Sequence, residues 1–424
     1  MGSSWSSRDV VVSRPVRYRL RDMDSSKRIL LINKYFAPSE GATAVLLREL
    51  VEDLAAAMSV TVLCETSAGQ HEPPGSYHVE RRPTSSCIPE KKVVASKPLR
   101  WLSSFLFMMR ALFFLLVSKP YDLVVFASEP PFIDLVGGLL CWCLKRRFLI
   151  IMQDLYPEYA EGVHLQPVAL CAWPLKRIHS FVARRAHRVV VLSTDHVELL
   201  ARRGVVTQTI IPNWAPSSVS GRNPVPMPPT DGSMIIQYAG NLGLACDLDA
   251  LEIALKDLSS KGELTHFQFV LRGDGIKREQ ARRMARQYEN VVYQVPIARD
   301  GVFAAMAACH AHLILTPARL FGCVYASKAN SIMAAARPVL ASVPHASSLT
   351  RFISSHRVGY VSPAEDPSQL STCILQSLRD FRRNPSELTE MGARGSRYVS
   401  QEWNRAKATA RYEAEIRTVL NEDS

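Results

Sequence analysis

The chain has 424 residues, of which 47% are hydrophobic and 21% charged, and its formal net charge is +12. This composition excludes an intrinsically disordered chain, and the length exceeds what one hydrophobic core usually supports, so we expect two domains. The positive charge, most of which lies in the first half, favours an anionic partner such as a membrane surface. Basic and aromatic residues are not interleaved as in nucleic-acid-binding proteins, so nucleic acid is not an expected partner.

The nine cysteines are scattered along the chain without a paired framework. Cys141 and Cys143 lie inside an apolar run, away from other candidate metal ligands. This usage predicts reduced thiols in a cytoplasmic protein rather than disulfides or zinc. The first 26 residues are polar and rich in Ser and Arg, which predicts a disordered extension rather than a secretory signal.

Alternating strands and helices are predicted from Arg28 onward. The apolar run over residues 28–36 is typical of a buried parallel strand, and a helix over 44–58 and a strand over 60–64 follow it. Gly41 lies in the first strand-to-helix turn, where open α/β sheets bind ligands. Gly41 is therefore a candidate ligand contact, although many such glycines serve only the turn.

Residues 101–117 are rich in Phe, Leu and Met but carry Arg110 near their middle. Seventeen residues with a central arginine make a poor membrane span. The pattern predicts either an interfacial helix that contacts anionic headgroups or a hydrophobic core helix of the first domain.

A carboxylate follows one of the next predicted strands. Strands over 122–127 and 147–152 flank a helix over 133–144, and Asp154 comes directly after the second strand. The carboxyl end of a buried parallel strand is where α/β domains place reactive groups. Asp154 is therefore a candidate catalytic residue, the alternative being a helix cap or a loop carboxylate.

The domain boundary is predicted where two prolines enclose an Asn-Trp pair and a polar, proline-rich segment follows. We expect a first domain over 27–212, a linker over 213–232 and a second domain over 233–395. A C-terminal helix over 396–424 is expected to pack back on the first domain through aromatic side chains, namely Tyr398, Trp403 and Tyr412.

The second domain opens with a strand over 233–239 that ends at Gly240, Asn241 and Gly243. Glycines on both sides of an asparagine let backbone amides approach an anion closely. Arg272 ends a later strand, just before another glycine-rich turn, and adds a positive charge.

Ser327 and Lys328 stand just ahead of a helix predicted over 329–336. The first amides of a helix have no intrahelical partner and the macrodipole is positive there, so phosphate is the natural ligand. The alternative is that Ser327 is only a cap and Lys328 only a solvated charge.

Six short motifs in this order resemble glycosyltransferase family 4, in particular the branch found in bacterial colanic acid, capsule and O-antigen assembly. They are Tyr35-Phe36-Ala37-Pro38 with Glu40-Gly41-Ala42-Thr43, Gln153-Asp154-Leu155-Tyr156-Pro157-Glu158, Pro212-Asn213-Trp214, Tyr238-Ala239-Gly240-Asn241-Leu242-Gly243, Gly273-Asp274-Gly275, and Ser327-Lys328 with Ala334-Ala335-Ala336-Arg337-Pro338-Val339. The resemblance implies the GT-B fold, which is α/β. Two doubly wound Rossmann-like domains face an interdomain cleft, and the C-terminal helix crosses back.

The resemblance also implies transfer of a sugar from a nucleoside-diphosphate sugar, with UDP-sugar as the expected donor. Retention of configuration is implied, and neither a metal ion nor another cofactor is expected. The acceptor would be a lipid-linked or natural-product glycan, met at the inner face of a membrane by a peripheral protein. The implied donor contacts are Gly41, Gly240, Asn241, Gly243, Arg272, Ser327 and Lys328. Lys328 would be catalytic with Asp154, which would orient the acceptor or stabilise the transition state.

The chain departs from the family at two positions. Many members carry glutamates where this chain has Cys323 and Ser331, and the second glutamate binds the ribose hydroxyls. A serine cannot accept bidentate bonds, so ribose recognition would be weaker at Ser331 or rerouted through Asn330. The departure indicates divergence within the family or loss of catalysis. A non-catalytic scaffold and an enzyme with a soluble small-molecule acceptor therefore remain alternatives.

Overall fold

The computed structural model describes residues 27–37, 41–65, 77–82, 97–166, 168–206, 208–229 and 233–422. The predicted extension over 1–26, the motif residues Pro38 and Glu40, and the end of the predicted linker lie outside these ranges.

Seven parallel strands form the first sheet. They are β1 Arg28–Ile32, β2 Ser59–Glu65, β3 His78–Arg82, β4 Leu123–Phe126, β5 Phe148–Met152, β6 Arg188–Val191 and β7 Gln208–Ile210. Their order is β3-β2-β1-β4-β5-β6-β7, with β1 between β2 and β4. The helices between them are α1 Ala42–Ala55, α2 Lys97–Val117, α3 Ile133–Cys143, α4 Glu158–Gly162, α5 Ala172–Ala183 and α6 Thr194–Ala201. The central strands β4 and β5 are apolar along their whole length, and β1 is apolar after Arg28, because helices cover both faces of the sheet.

Six parallel strands form the second sheet. They are β8 Met234–Ala239, β9 Phe267–Arg272, β10 Val291–Gln294, β11 Ala311–Leu315, β12 Val339–Val343 and β13 Gly359–Pro363. Their order is β10-β9-β8-β11-β12-β13. The helices are α7 Leu248–Ser260, α8 Arg278–Gln287, α9 Arg299–Ala307, α10 Lys328–Ala334, α11 Ser348–His356, α12 Gln369–Arg383, α13 Pro385–Gln401 and α14 Arg405–Asn421. The predicted α/β architecture of two doubly wound, Rossmann-like domains is confirmed.

The C-terminal helices divide between the domains. Tyr398 and Trp403 pack around Phe352 of the second domain, with ring centroids 4.8 and 4.5 Å away. Tyr412 of α14 lies in the core of the first domain. The expectation that Tyr398 and Trp403 anchor the tail to the first domain is therefore wrong, because the chain crosses over only after α13. The predicted break at residue 396 falls inside α13.

Arg337, named above only as part of the last motif, is almost completely buried. Its guanidinium donates to the carbonyl oxygens of Ala307 at 2.5 Å and Cys309 at 2.9 Å. It also reaches Val225 and Pro226 of the linker segment, both at 3.0 Å. Carbonyl oxygens rather than a carboxylate accept the hydrogen bonds of this buried charge. Because these oxygens belong both to the linker and to the second domain, Arg337 ties the two together.

Helices α4 and α11 were not predicted. Helix α11 has nine residues, and its large apolar residues are only Leu349, Phe352 and Ile353, so the apolar pattern covers barely one turn. Helix α4 is a single turn of five residues, too short to leave a periodic pattern.

Candidate functional site

The two domains contact each other at the carboxyl ends of their strands. The Leu155 amide donates to the Cys323 carbonyl oxygen at 2.8 Å. On one side of this contact, Asp195 accepts bonds from the Ser348 amide at 2.8 Å and from the Ser348 hydroxyl at 2.8 Å. Arg351 adds an ion pair to Asp195 at 3.3 Å. A carboxylate of the first domain thus satisfies the first turn of α11 in the second.

A cavity of about 220 Å³, hereafter the cleft cavity, lies between the domains. Its first-domain wall includes Asp154 and Tyr159, and its second-domain wall includes the glycine turn and the start of α10. Five predicted site residues line it together, namely Asp154, Asn241, Gly243, Ser327 and Lys328. Side chains that are up to 174 positions apart in the sequence therefore share one cavity.

Lys328 supplies the positive charge of the cleft cavity. Its ammonium lies 3.9 Å from the centroid of the Tyr238 ring and donates to the Tyr238 hydroxyl, which in turn donates to the Asn241 carbonyl oxygen at 2.8 Å. Burial lowers the pKa of Lys328 to about 8. Within the described ranges no carboxylate lies within ion-pair distance of it, so an anionic ligand is the partner that the site lacks.

The glycine turn brings backbone close to this lysine. Gly240 has φ +136°, which side-chain-bearing residues rarely adopt, and a Cβ there would lie 2.5 Å from Lys328 Cε. A Cβ on Gly273 would lie only 1.9 Å from the Gly240 carbonyl oxygen. Gly240 does not line the cleft cavity itself, but its missing side chain leaves room for the Lys328 side chain.

Ser327 is at the N-cap position of α10 but makes no side-chain cap hydrogen bond. The helix has only seven residues and begins at Lys328, one position earlier than predicted. A helix this short contributes little macrodipole, so the electrostatic field in the cleft cavity comes mainly from the ammonium.

Asp154 is held by its neighbour Gln153 at the end of β5. The Gln153 amide donates to Ser128 Oγ at 2.7 Å, and Thr43 Oγ1 donates to Gln153 Oε1 at 2.8 Å. His196 Nε2 lies 3.2 Å from the Gln153 carbonyl oxygen. These bonds to three other elements fix the backbone from which the Asp154 carboxylate enters the cleft.

Two carboxylates interact at this edge of the first sheet. Burial within the cleft raises the pKa of Asp154 to about 6, although the side chain itself is open to the cavity. Burial, and then the charge of Asp154, raise the pKa of Glu129 to about 7, while Lys34 acts in the opposite direction. Like charges that share a partly desolvated site favour keeping one proton between them.

Aromatic rings stand beside the two carboxylates. The rings of Tyr156 and Tyr159 are 5.2 Å apart, and those of Phe132 and Tyr156 are 5.5 Å apart. Tyr159 lines the cleft cavity. A wall of aromatic rings next to carboxylates can hold the apolar faces of a sugar while the carboxylates accept its hydroxyl hydrogens.

Besides Gly240, four predicted donor contacts do not line the cleft cavity. Gly41 is the N-cap of α1 and has open space around it. Arg272 is half-buried and donates to Gln294. Ser331 is half-buried in the second turn of α10.

Asn330, the fourth, is fully buried, and its amide donates to the Asn213 carbonyl oxygen. Because the Asn330 side chain already makes this hydrogen bond, it is not available for the expected contact with the ribose. Asn330 instead holds the Pro212-Asn213-Trp214 segment against α10.

Cys323 stands where the family often has a glutamate. Its thiol is buried in an apolar interdomain cluster with Val163 and Leu320, and burial raises its pKa to about 12. This position therefore contributes interdomain packing and no charge.

The sequence reasoning missed Glu129, Tyr159 and Tyr238. Glu129 follows β4 just as Asp154 follows β5, and these two strands are neighbours. Parallel strands end at one edge, so this placement was a usable signal. Tyr238 lies inside a quoted motif and Tyr159 directly follows one, but their contacts with Lys328 and with the cavity depend on tertiary packing.

In the part of the chain that the structure describes, no group of three or more His, Cys, Asp or Glu side chains is arranged to hold a metal ion. No described helix is long and apolar enough to span a membrane.

Comparisons with known proteins agree with this geometry. Residues 41–214 match the glycosyl transferase 4-like domain. A probable glycosyltransferase, WbjE of Pseudomonas aeruginosa, is 23% identical over 413 residues, which cover 93% of this chain and 99% of WbjE. The resemblance predicted from the motifs is therefore confirmed, as is the class of enzyme that it implies.

Solved structures share the fold. HepE of Anabaena, in complex with UDP and glucose, has a TM-score of 0.62 and 14% identity, with 92% of this chain and 100% of HepE covered. WaaG, a glycosyltransferase involved in lipopolysaccharide biosynthesis, has a TM-score of 0.61 and 12% identity, with 93% and 100% covered. At this identity the likeness concerns the fold alone, and it confirms the predicted GT-B architecture.

Proposed function

We propose that the protein transfers a sugar from a nucleoside-diphosphate sugar, bound in the cleft cavity, to a glycan acceptor that enters beside the first domain. The observation that carries this proposal is the Lys328 ammonium, which faces an interdomain cavity without a carboxylate partner in the described residues. UDP is the proposed nucleotide, supported by HepE, whose structures contain UDP and UDP-glucose.

The second domain stabilises the leaving group in this proposal. A departing diphosphate develops negative charge, which needs positive charge and fixed donors held in place before the reaction. Lys328 supplies the charge, and the backbone of the turn that contains Asn241 and Gly243 supplies the donors. Because these groups are fixed by the fold, we propose that transfer proceeds without a metal ion.

The first domain stabilises the reacting sugar and receives the acceptor. Asp154, with a pKa of about 6, is mostly ionised at neutral pH and places negative charge beside the developing oxocarbenium ion. Glu129, with a pKa of about 7, is suited to hydrogen-bond an acceptor hydroxyl in either protonation state. We propose retention of anomeric configuration together with these roles.

The proposed acceptor is lipid-linked, and its membrane lies against the outer face of α2. One face of α2 packs into the core through Phe107 and Ala111. The opposite face exposes large apolar side chains at helical spacing, namely Trp101, Phe105, Met109, Phe113 and Leu116. An exposed apolar stripe in a protein of net charge +12 fits docking to an anionic bilayer at the inner face of a cytoplasmic membrane. The sequence was compatible with either a core helix or an interfacial helix. The buried face of α2 fits the first interpretation and the exposed apolar face fits the second.

A panel of UDP-, GDP- and ADP-sugars tests the donor assignment, with thermal shift for binding and product formation for turnover. We expect one nucleotide to raise the melting temperature and the matching sugar to be transferred in the presence of EDTA, with NMR of the product showing retained configuration. Absence of any shift and any turnover across the panel would contradict the proposal and favour a non-catalytic scaffold.

Vesicle sedimentation tests the membrane partner. Replacing Phe113 and Leu116 by Ser should reduce binding to phosphatidylglycerol vesicles, because both side chains are more than half exposed and make little core contact. Unchanged vesicle binding would favour a soluble acceptor instead.

A further inference from the structure

A second cavity, of about 460 Å³, opens on the surface of the first domain beside α5 and α6. Five of its seven lining residues are basic and none is acidic. The lining residues of this basic cavity are Trp173, Lys176, Arg177, Ser180, Arg184, Arg202 and Arg203.

Three of the five cations are neutralised by carboxylates outside the lining. Lys176 pairs with Glu161, Arg202 with Glu198 at 2.5 Å, and Arg203 with Glu158 at 3.0 Å. The three pairs hold the walls of the cavity in place.

The other two cations, Arg177 and Arg184, have no ion pair within the described residues. Arg177 lies over the Trp173 ring at 5.0 Å, and Arg184 donates to the Arg203 carbonyl oxygen at 3.2 Å. Two guanidinium groups that line one cavity without a counter-charge favour an anion with several oxygens, such as a phosphate or diphosphate.

The rim of the basic cavity is apolar. Trp173 is 69% exposed and the nearby Leu170 is 79% exposed. An anion site lined by an exposed indole, with an exposed leucine three positions away in the chain, suits an amphiphile better than a free anion, because the apolar part of the ligand then leaves water as well.

One short helix separates the basic cavity from the cleft cavity. Tyr159 of α4 lines the cleft cavity, while Glu158 and Glu161 of the same helix hold Arg203 and Lys176. A helix with its side chains is about 10 Å across, so the two cavities lie on opposite sides of a wall of roughly that thickness.

We propose that the basic cavity binds the phosphate or diphosphate of an amphiphilic acceptor. The apolar chain would lie against Trp173 and Leu170 and the sugar end would pass α4 into the cleft cavity. This assignment rests on the proposed glycosyl transfer and names the anionic linker as the acceptor feature that the first domain recognises. A bulk phospholipid headgroup is the competing source of the same chemistry. The position of the cavity across α4 from Asp154 favours the acceptor.

Calorimetric titration of the full-length protein tests the proposal with three probes that separate the two halves of the ligand. Farnesyl diphosphate carries both the apolar chain and the diphosphate anion. Farnesol carries the apolar chain alone, and inorganic pyrophosphate carries the anion alone. We expect farnesyl diphosphate to bind most tightly. Arg177→Ala with Arg184→Ala should weaken its binding about tenfold or more, because two charge-assisted contacts are lost. Trp173→Ala should weaken the binding of farnesyl diphosphate more than that of pyrophosphate, because the apolar chain loses its indole contact while pyrophosphate loses only the ring beneath Arg177.

The matched control is Arg382→Ala with Arg383→Ala, which removes two exposed arginines from the end of α12 in the second domain. It should bind farnesyl diphosphate like the native protein. Equal affinity for pyrophosphate and farnesyl diphosphate would overturn the amphiphile assignment. If the Arg177 and Arg184 variant lost binding to phosphatidylglycerol vesicles to the same extent, a phospholipid site would replace the acceptor site.

The thermal shift with UDP keeps this test separate from the proposed function. The Arg177 and Arg184 variant should keep the UDP shift of the native protein, since neither arginine lines the cleft cavity. A native protein that binds farnesyl diphosphate but no nucleotide would contradict the glycosyl transfer and leave the anion site standing. A native protein that binds nucleotide but no farnesyl diphosphate would contradict only the proposed site for the acceptor's anionic linker.

Discussion

The two walls of the cleft cavity are built in different ways. The second-domain wall consists of a glycine turn and one lysine, close to each other and each preceded by a strand. The first-domain wall contains Asp154 and Tyr159, and Glu129 and further aromatic rings from the segments after two different strands stand beside them. The first design suits a group that every nucleoside-diphosphate sugar shares. The second suits a partner that differs from one enzyme to the next.

Because the two walls differ in this way, substitutions on one wall should have different kinetic effects from substitutions on the other. A phosphate site made of backbone and one ammonium depends on few side chains, so one substitution removes most of its charge. A sugar site made of several side chains distributes its binding energy over more contacts.

The largest expected effect is that of Lys328→Ala on the second-domain wall. Transfer should fall about 10²- to 10³-fold, because the ammonium stabilises charge that develops on the leaving group. Steady-state kinetics with the best donor measure it. Lys261→Ala, which removes an exposed lysine from a helix end on the same domain, serves as the control. Loss of less than threefold would argue that Lys328 is only structural.

Asp154→Asn should lower kcat about 100-fold and leave the Kd for UDP unchanged, because in the proposed complex the carboxylate faces the reacting sugar rather than the diphosphate. In the native enzyme kcat should fall as the pH drops through about 6, where Asp154 takes up a proton. The variant should lack this acid limb. An equal loss of UDP affinity would place Asp154 with the donor phosphates and contradict the division between the walls.

Asn330→Ala separates fold from ligand contact on the second-domain wall. The substitution leaves the buried Asn213 carbonyl without its donor and should lower the free energy of unfolding by about 1 to 3 kcal/mol. Denaturant unfolding gives this value, and calorimetry should show unchanged UDP affinity. A selective loss of UDP binding with native stability would restore the ribose contact expected from the sequence.

The pKa of Lys328 predicts a smaller, pH-dependent effect on donor binding. Its pKa of about 8 means that the ammonium loses its proton as the pH rises through 8, and UDP affinity should then weaken severalfold by pH 9. Lys328→Arg should bind UDP without this alkaline loss, because a guanidinium stays charged. If the Lys328→Arg variant also lost UDP affinity at alkaline pH, that loss would have to come from another titrating group.

The smallest effect concerns the stability contribution of Glu129. Its pKa of about 7 in the folded protein exceeds the ordinary 4.5, so the folded state holds a proton that the unfolded state releases between these values. Stability from this group is therefore lost as the pH rises from about 4.5 to 7. Glu129→Gln should raise the melting temperature more at pH 8 than at pH 5. An equal change at both values would show that Glu129 titrates normally.

The sequence predicted the fold and the second-domain wall well for a physical reason. Buried parallel strands are apolar along their length, and a glycine turn or a lysine at a helix start is a local pattern. Asn241, Gly243, Ser327 and Lys328 were found this way, and the structure brings them to one cavity.

The rest depended on tertiary packing that no local pattern encodes. Asn330 was expected at a ligand and is instead bonded to the linker. Arg337 was only a motif residue in the sequence, and in the structure it holds two segments together through carbonyl oxygens. The role of Tyr238 beneath Lys328, and the interdomain packing of Cys323, depend on residues about 90 and 160 positions away in the chain.

The most direct test of the central claim is a crystal structure of the protein with UDP. The account predicts that a diphosphate oxygen lies within hydrogen-bond distance of Lys328 Nζ and of a backbone amide in the turn over 240–243, with the open end of the diphosphate facing Asp154. UDP bound outside the cleft cavity, or bound within it while Lys328 contacts only Tyr238, would contradict the account.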